Sequence, residues 1–128
     1  MTKITRLLVP GQMTPVSHYC HVVRDGNLIW ISGSVGVQHD GTIPSDVAEQ
    51  FRVALDNLDA CLRAAGGLPE HIVKVNVYLT NIADRALINP LRIAYFCEHL
   101  PASTLVEVSA LVSPEMKVEI EAQALLPG

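Results

Sequence analysis

The spacing of apolar and polar residues changes period several times along the chain, and each change predicts an element. Met116-Lys117-Val118-Glu119-Ile120-Glu121-Ala122 alternates strictly, and the run from Pro101 to Val108 does so nearly. A period of two marks a half-buried strand. In the later strand Lys117, Glu119, Glu121 and Gln123 share a face; in the earlier one Ser103, Leu105, Glu107 and Ser109 do. Val73, Val75, Val77 and Leu79 alternate with Lys74, Asn76, Tyr78 and Thr80 and predict a third strand. Leu28 to Val37 reads as a fourth, after the turn signal Asp25-Gly26-Asn27. A shorter strand over Tyr19 to Arg24 would complete a hairpin with it.

Two stretches carry the helical period instead. Val47, Phe51, Ala54, Leu55, Leu58, Cys61 and Leu62 keep to one helix face. Ser45 is the expected N-cap, Asp46 and Glu49 suit the positive end of the helix dipole, and Gly66-Gly67 supplies the left-handed stop. Asn89-Pro90 predicts the start of a second helix, with Asn89 as cap and Pro90 at the first helical position. That helix continues to about His99, before Pro101.

The predicted order is strand, strand, helix, strand, helix, strand, strand. Two helices on one face of a single sheet would cover the stripe of Val73, Val75 and Val77. The opposite face would carry Lys74, Asn76, Tyr78, Leu105, Glu107 and Glu119, a mixed set suited to burial against a second copy of the chain. Composition supports that reading, since 49% of residues are apolar and mean hydropathy is +0.30. The 128 residues suit one domain, spanning 1–128, with a single core. A net charge of −4 offers no basic footprint for nucleic acid or an anionic membrane. No apolar run reaches membrane-spanning length, and the N-terminus lacks a sustained apolar segment, so a cytoplasmic protein is expected. Cys20, Cys61 and Cys97 form no disulfide framework.

Several separated motifs resemble the RidA/YjgF family of reactive-intermediate deaminases. Pro101-Ala102-Ser103 through Glu107-Val108 resembles the family's Pro-Ala-Arg-x-x-Val-Glu-Val, and Val118-Glu119-Ile120-Glu121-Ala122 is its Val-Glu-Ile-Glu-Ala. Ser17-His18-Tyr19 falls at a Gly-Pro-Tyr-like segment, Ile31-Ser32-Gly33 at a Ser-Gly pair, and Asn89 at the asparagine that opens the family's second helix. The resemblance implies a chorismate-mutase-like α+β fold, three subunits around an axis, and a small-molecule cleft at each interface. It further implies cleft roles for Tyr19, Ser32, Gly33, Asn89, Ser103 and Glu119, and for the backbone carbonyl of Leu105, which would help hold an attacking water.

One position departs from the family pattern. Ser103 stands where the imine deaminases carry the arginine that grips the substrate carboxylate. A guanidinium binds a carboxylate through two charge-assisted hydrogen bonds, whereas a hydroxyl offers one neutral donor. The loss is about 2 to 3 kcal/mol of binding. Arg92, His18 and Lys74 are the candidate replacements.

Other chemistries find less support. On a strand, His18 and Cys20 face one way and His21 the other, and no second ligand pair completes a tetrahedron, so no metal is expected. No Gly-x-Ser-x-Gly or Gly-x-Gly-x-x-Gly motif occurs, and no cofactor is expected. The favoured expectation is hydrolysis of the C=N bond of a small imine or enamine, with Glu119 managing the proton and a substrate other than the usual 2-imino acid. The alternative is a non-catalytic member that binds a small metabolite or has a regulatory role. An endoribonuclease reading fits poorly with an acidic chain that has few aromatic residues.

Overall fold

Alternation is cleanest in the strands that lie at the centre of the sheet. A computed structural model describes residues 3–128. Its elements are β1 (Thr5–Leu7), β2 (Val22–Asp25), β3 (Leu28–Val35), α1 (Val47–Ala64), β4 (Ile72–Leu79), α2 (Arg85–Phe96), β5 (Ala102–Glu107) and β6 (Val118–Leu125), with short 3-10 turns at Pro69–His71 and Ile82–Asp84. The strands form one six-stranded sheet in the order β1-β2-β3-β6-β4-β5. Pairing is antiparallel except between β4 and β5, which α2 connects in parallel. The predicted α+β arrangement is therefore present, with β1 added at one edge.

Both helices cover one sheet face. Phe51, Ala54, Leu58 and Leu62 of α1 and Ile88 and Phe96 of α2 join Ile29, Ile31, Val75, Val77, Val118 and Ile120 in a single core. Burying each such side chain contributes about 1.5 to 3 kcal/mol. Gln50 is polar yet fully buried, and its amide is satisfied: Nε2 donates to the Pro44 and Glu115 carbonyls, and Oε1 accepts from Lys117 N–H at 2.8 Å. It ties the start of β6 to α1. No described helix is long and apolar enough to cross a membrane.

Several expectations are corrected. Asp46, not Ser45, caps α1, its carboxylate accepting from Glu49 N–H at 3.0 Å. Gly66 does stop this helix, with φ +91°; its N–H donates to the Arg63 carbonyl while that of Gly67 donates to Leu62, two bonds that satisfy the last carbonyls. Asn89 is not an N-cap. The second helix begins at Arg85, and Pro90 lies inside it. The proline denies Ala86 its helical hydrogen bond, but both residues are exposed and water can serve that carbonyl. The helix stops at Phe96 rather than near His99, with Cys97 at φ 51°.

On the sheet, a bulge between Ile72 and Lys74 turns Val73 outward, leaving it 46% exposed. The buried stripe is Ile72, Val75, Val77 and Leu79. Strand β2 starts at Val22, three residues later than expected, and β3 ends at Val35. Leu105 and Glu107 do not share the open face with Glu119. Register pairs Ser103 with Val75, Leu105 with Val77 and Glu107 with Leu79, so all three turn toward the helix side. Thr104 and Val106 take the open face beside Asn76 and Tyr78.

Candidate active site

Glu119 lies on β6 opposite Val35 of β3 and Tyr78 of β4, on the face the helices leave open. The β3–β6 register shifts between Ile31 and Ser34, and Ser32-Gly33 occupies that irregularity. A Cβ added at Gly33 would fall 2.0 Å from Glu119 Oε2. The glycine is thus required for Glu119 to lie against the strand, which gives the Ser-Gly pair a physical meaning. Ser32 faces the chain before β2: its hydroxyl donates to the Cys20 carbonyl at 2.7 Å and its N–H to the His21 carbonyl at 3.0 Å.

Tyr19, Ser32, Gly33 and Glu119 line one cleft of about 360 Å³, together with Met13, Val16, Val112 and Glu121. The Glu119 carboxylate is half-buried and accepts no hydrogen bond from the described residues. Burial pushes its pKa above the ordinary carboxylate range, and Glu121 adds to the effect. Glu121 is held in place by two donors, the Tyr78 hydroxyl and Asn76 Nδ2, the latter at 3.0 Å. The bond to Glu121, with burial, pushes Tyr78 up to about 12. A fixed, hydrogen-bonded carboxylate therefore sits beside one without a hydrogen-bond partner among the described residues, whose pKa burial raises. That division of labour suits acid–base chemistry.

The remaining predicted residues lie away from this cleft. Ser103 and Leu105 belong to the edge strand β5 and face the opposite side of the sheet from Glu119; Asn89 is exposed on α2, beside Arg85, Pro90 and Ile93. Arg92, one turn after Asn89, donates from Nη2 to Ser103 Oγ at 2.9 Å. Of the three candidate cations, Arg92 is the one hydrogen-bonded to Ser103; Lys74 donates instead to Thr104 Oγ1, and His18 lines a depression with Arg6, Cys20 and Ser32. Within one chain the expected residues thus fall into two separate groups on opposite sides of the sheet.

The matching family model is endoribonuclease L-PSP, over residues 10–126. The chain belongs to the RidA/YjgF family. It is 40% identical over 114 residues to the 2-iminobutanoate/2-iminopropanoate deaminase of Escherichia coli, covering 86% of this chain and 88% of that protein. Among solved structures it superposes on the YjgF gene product of E. coli with a TM-score of 0.88 at 36% identity, covering 94% and 98% of the two chains. YyfA of Yersinia pestis, from the Rid protein family, gives 0.90 at 29% identity over 97% and 100%.

Some of the site's construction escaped the sequence. Met13 and Val112 line the cleft from loops that carry no periodic signal. His21 holds the first loop: its Nδ1 accepts from Val9 N–H at 2.8 Å, so the proton resides on Nε2, which donates to the Met13 carbonyl at 2.8 Å. The histidine beside Cys20 is a loop clamp, and its proximity to Ser32 is visible only in three dimensions.

Proposed function

We propose that the protein is a RidA-type deaminase that hydrolyses the C=N bond of a small imine or enamine at a cleft completed by a neighbouring copy in a homotrimer. The supporting observation is Glu119: a half-buried carboxylate with a raised pKa and no hydrogen-bond partner among the described residues, laid over Gly33 in a cleft. Water adds to the carbon of the protonated imine as Glu119 takes one of its protons, giving a carbinolamine. Glu119 returns that proton to the amine nitrogen, a lone pair of the hydroxyl oxygen forms the carbonyl as the C–N bond breaks and ammonia departs, and the hydroxyl proton passes to Glu119. Tyr19 and Asn89 position the substrate, and Ser32, Gly33 and the Leu105 carbonyl complete the cleft. The trimer supplies what one chain lacks, because the half-site of Asn89, Ser103 and Leu105 reaches Glu119 only across an interface.

Ammonia release from a panel of freshly generated imines and enamines tests this reading. Wild-type protein should turn over at least one of them. Glu119→Gln should lower kcat at least about 100-fold, as expected on removing a general base. Gly33→Ala should act similarly by displacing the carboxylate. Ligand binding without turnover of any imine would instead identify a non-catalytic metabolite-binding member.

A further inference from the structure

Tyr78 stands directly opposite Glu119 across the β4–β6 pair, yet its hydroxyl bonds elsewhere. Register places Tyr78 against Glu119 and Asn76 against Glu121, so all four side chains rise from the sheet face without helices. The Tyr78 hydroxyl crosses diagonally to Glu121 Oε1, and Asn76 Nδ2 donates to the same oxygen at 3.0 Å. An aromatic side chain is long enough for such a diagonal contact. The bond to Glu121 pushes Tyr78 up to about 12, so the hydroxyl keeps its proton and remains a donor at neutral pH. Glu119 is left without a hydrogen bond among the described residues, although a donor stands opposite it on the neighbouring strand.

The two donors that hold Glu121 are neutral, and they fix its carboxylate without cancelling its charge. Lys74 lines the same hollow as Asn76 and Glu121, but its Nζ donates to Thr104 Oγ1 at 3.0 Å. Lys117, just before β6, sends its Nζ to the Ser45 carbonyl at 2.6 Å. No ion pair forms at either carboxylate among the described residues. Tyr19 shares the cleft from the segment before β2, and β3 lines it with the uncharged Ser32, Gly33 and Val35. His21, which shares a smaller cavity with Ser32 and Gly33, has both ring nitrogens engaged by the backbone. Same-face neighbours on a strand are about 7 Å apart, a separation at which like charges in a partly desolvated cleft oppose one another. We propose that Glu121 is a positioning residue for the proton chemistry of Glu119: it maintains a negative charge along the strand and captures the Tyr78 hydroxyl, leaving Glu119 unbonded and available to the attacking water. The assignment rests on the C=N hydrolysis reading and deepens it. Glu121 then strengthens proton binding at Glu119 by two routes, repulsion and the withdrawal of a donor that would stabilise the anion.

Two measurements read the Glu119 titration. The acid limb of kcat/KM against pH reports it in turnover. Carbon NMR of protein labelled at the glutamate carboxyl carbons, with Glu119→Gln identifying the resonance, reports it without substrate. Glu121→Gln removes the charge but keeps an oxygen for Tyr78 and Asn76, and the midpoint should move to lower pH. Glu121→Ala also releases Tyr78, which then donates to Glu119, and should move the midpoint further. One pH unit below the wild-type midpoint, kcat/KM as a fraction of each protein's own plateau should rise at least about threefold in Glu121→Ala. Adding Tyr78→Phe to Glu121→Ala should return the midpoint close to that of Glu121→Gln, whereas Tyr78→Phe alone should leave it near the wild-type position. That non-additivity is the signature of a donor diverted from one carboxylate to the other. Midpoints unchanged in both Glu121 variants, even with a lowered plateau, would reduce Glu121 to a structural role and overturn the proposal. So would equal midpoints in Glu121→Ala with and without Tyr78→Phe. A midpoint that moves by NMR while no imine is turned over would defeat the hydrolysis reading and leave the coupling of the two carboxylates standing.

Discussion

Glu119 shows how a residue's chemistry depends on neighbours remote in sequence. Its carboxylate is raised in pKa by burial beneath the neighbouring strand and by Glu121, and the space it occupies exists because residue 33 has no side chain. The folded state therefore holds the Glu119 proton more tightly than the unfolded chain does. Stability linked to that proton is complete below the unfolded pKa and is lost as pH rises through the folded one. Above that raised pKa the native protein carries a half-buried anion without a partner among the described residues. Glu119→Gln should consequently be the more stable form at pH 7 to 8, with the difference closing as pH falls through the raised pKa. Urea unfolding of both proteins from pH 4 to 8 measures this; a gap that stays constant across the range would mean that Glu119 is not perturbed by burial. The same titration should appear as an acid limb in kcat/KM. Of these features, the identity of Glu119 and its face-sharing with Glu121 were legible in the alternation of residues 117–123. The space over Gly33 was not, because it depends on the register between β3 and β6.

At the scale of elements, polar groups decide where helices and strands begin. Asp46 caps α1 where Ser45 was equally plausible by residue type, and the choice follows from which oxygen reaches Glu49 N–H. Gln50 is a stronger case, since one fully buried amide joins α1, the Pro44 loop and the start of β6. Gln50→Leu would keep similar bulk but orphan the Pro44 and Glu115 carbonyls and Lys117 N–H. Buried unsatisfied groups cost roughly 1 to 3 kcal/mol each, and water entry would recover part of the total. A loss of about 2 to 4 kcal/mol is expected in denaturant unfolding, with β6 loosened at Val118 and therefore near Glu119. The second helix offers the complementary lesson. Asn89-Pro90 has the form of a helix start, yet the four residues before it are helical because Ile88 and Phe96 are both buried against the core. Tertiary burial outweighs the local preference of proline when the lost hydrogen bond faces water.

For the molecule as a whole, the sheet face without helices remains to be covered. Leu28, Trp30, Val73, Val106 and Leu125 lie on it between 39% and 48% exposed, among Lys74, Asn76, Tyr78, Glu119 and Glu121. Apolar surface of this kind on a small protein favours association with identical copies. Native mass spectrometry at micromolar concentration should show a trimer, and Trp30→Asp should shift it toward monomer while leaving the circular dichroism spectrum unchanged. Monomer alone in the wild type would remove the route by which Asn89 and Ser103 meet Glu119.

Periodicity by itself determined five of the six strands, both helices in outline, and the face shared by Glu119 and Glu121, while separate residue motifs carried the family resemblance that singled out Ser103. These are local properties, since side chains alternate across a strand and recur every turn of a helix wherever the element lies. Tertiary structure alone decided the parallel register of β5 on β4, which moved Leu105 and Glu107 to the helix side. It alone decided the bulge that exposes Val73 and the gap over Gly33 that admits Glu119. It also brought Arg92 to Ser103 across eleven residues of chain. Register, bulges and helix-to-strand contacts arise from pairing between distant segments, and a slip of one residue reverses every face. Sequence periodicity carries the faces of an element but not the partner each face meets.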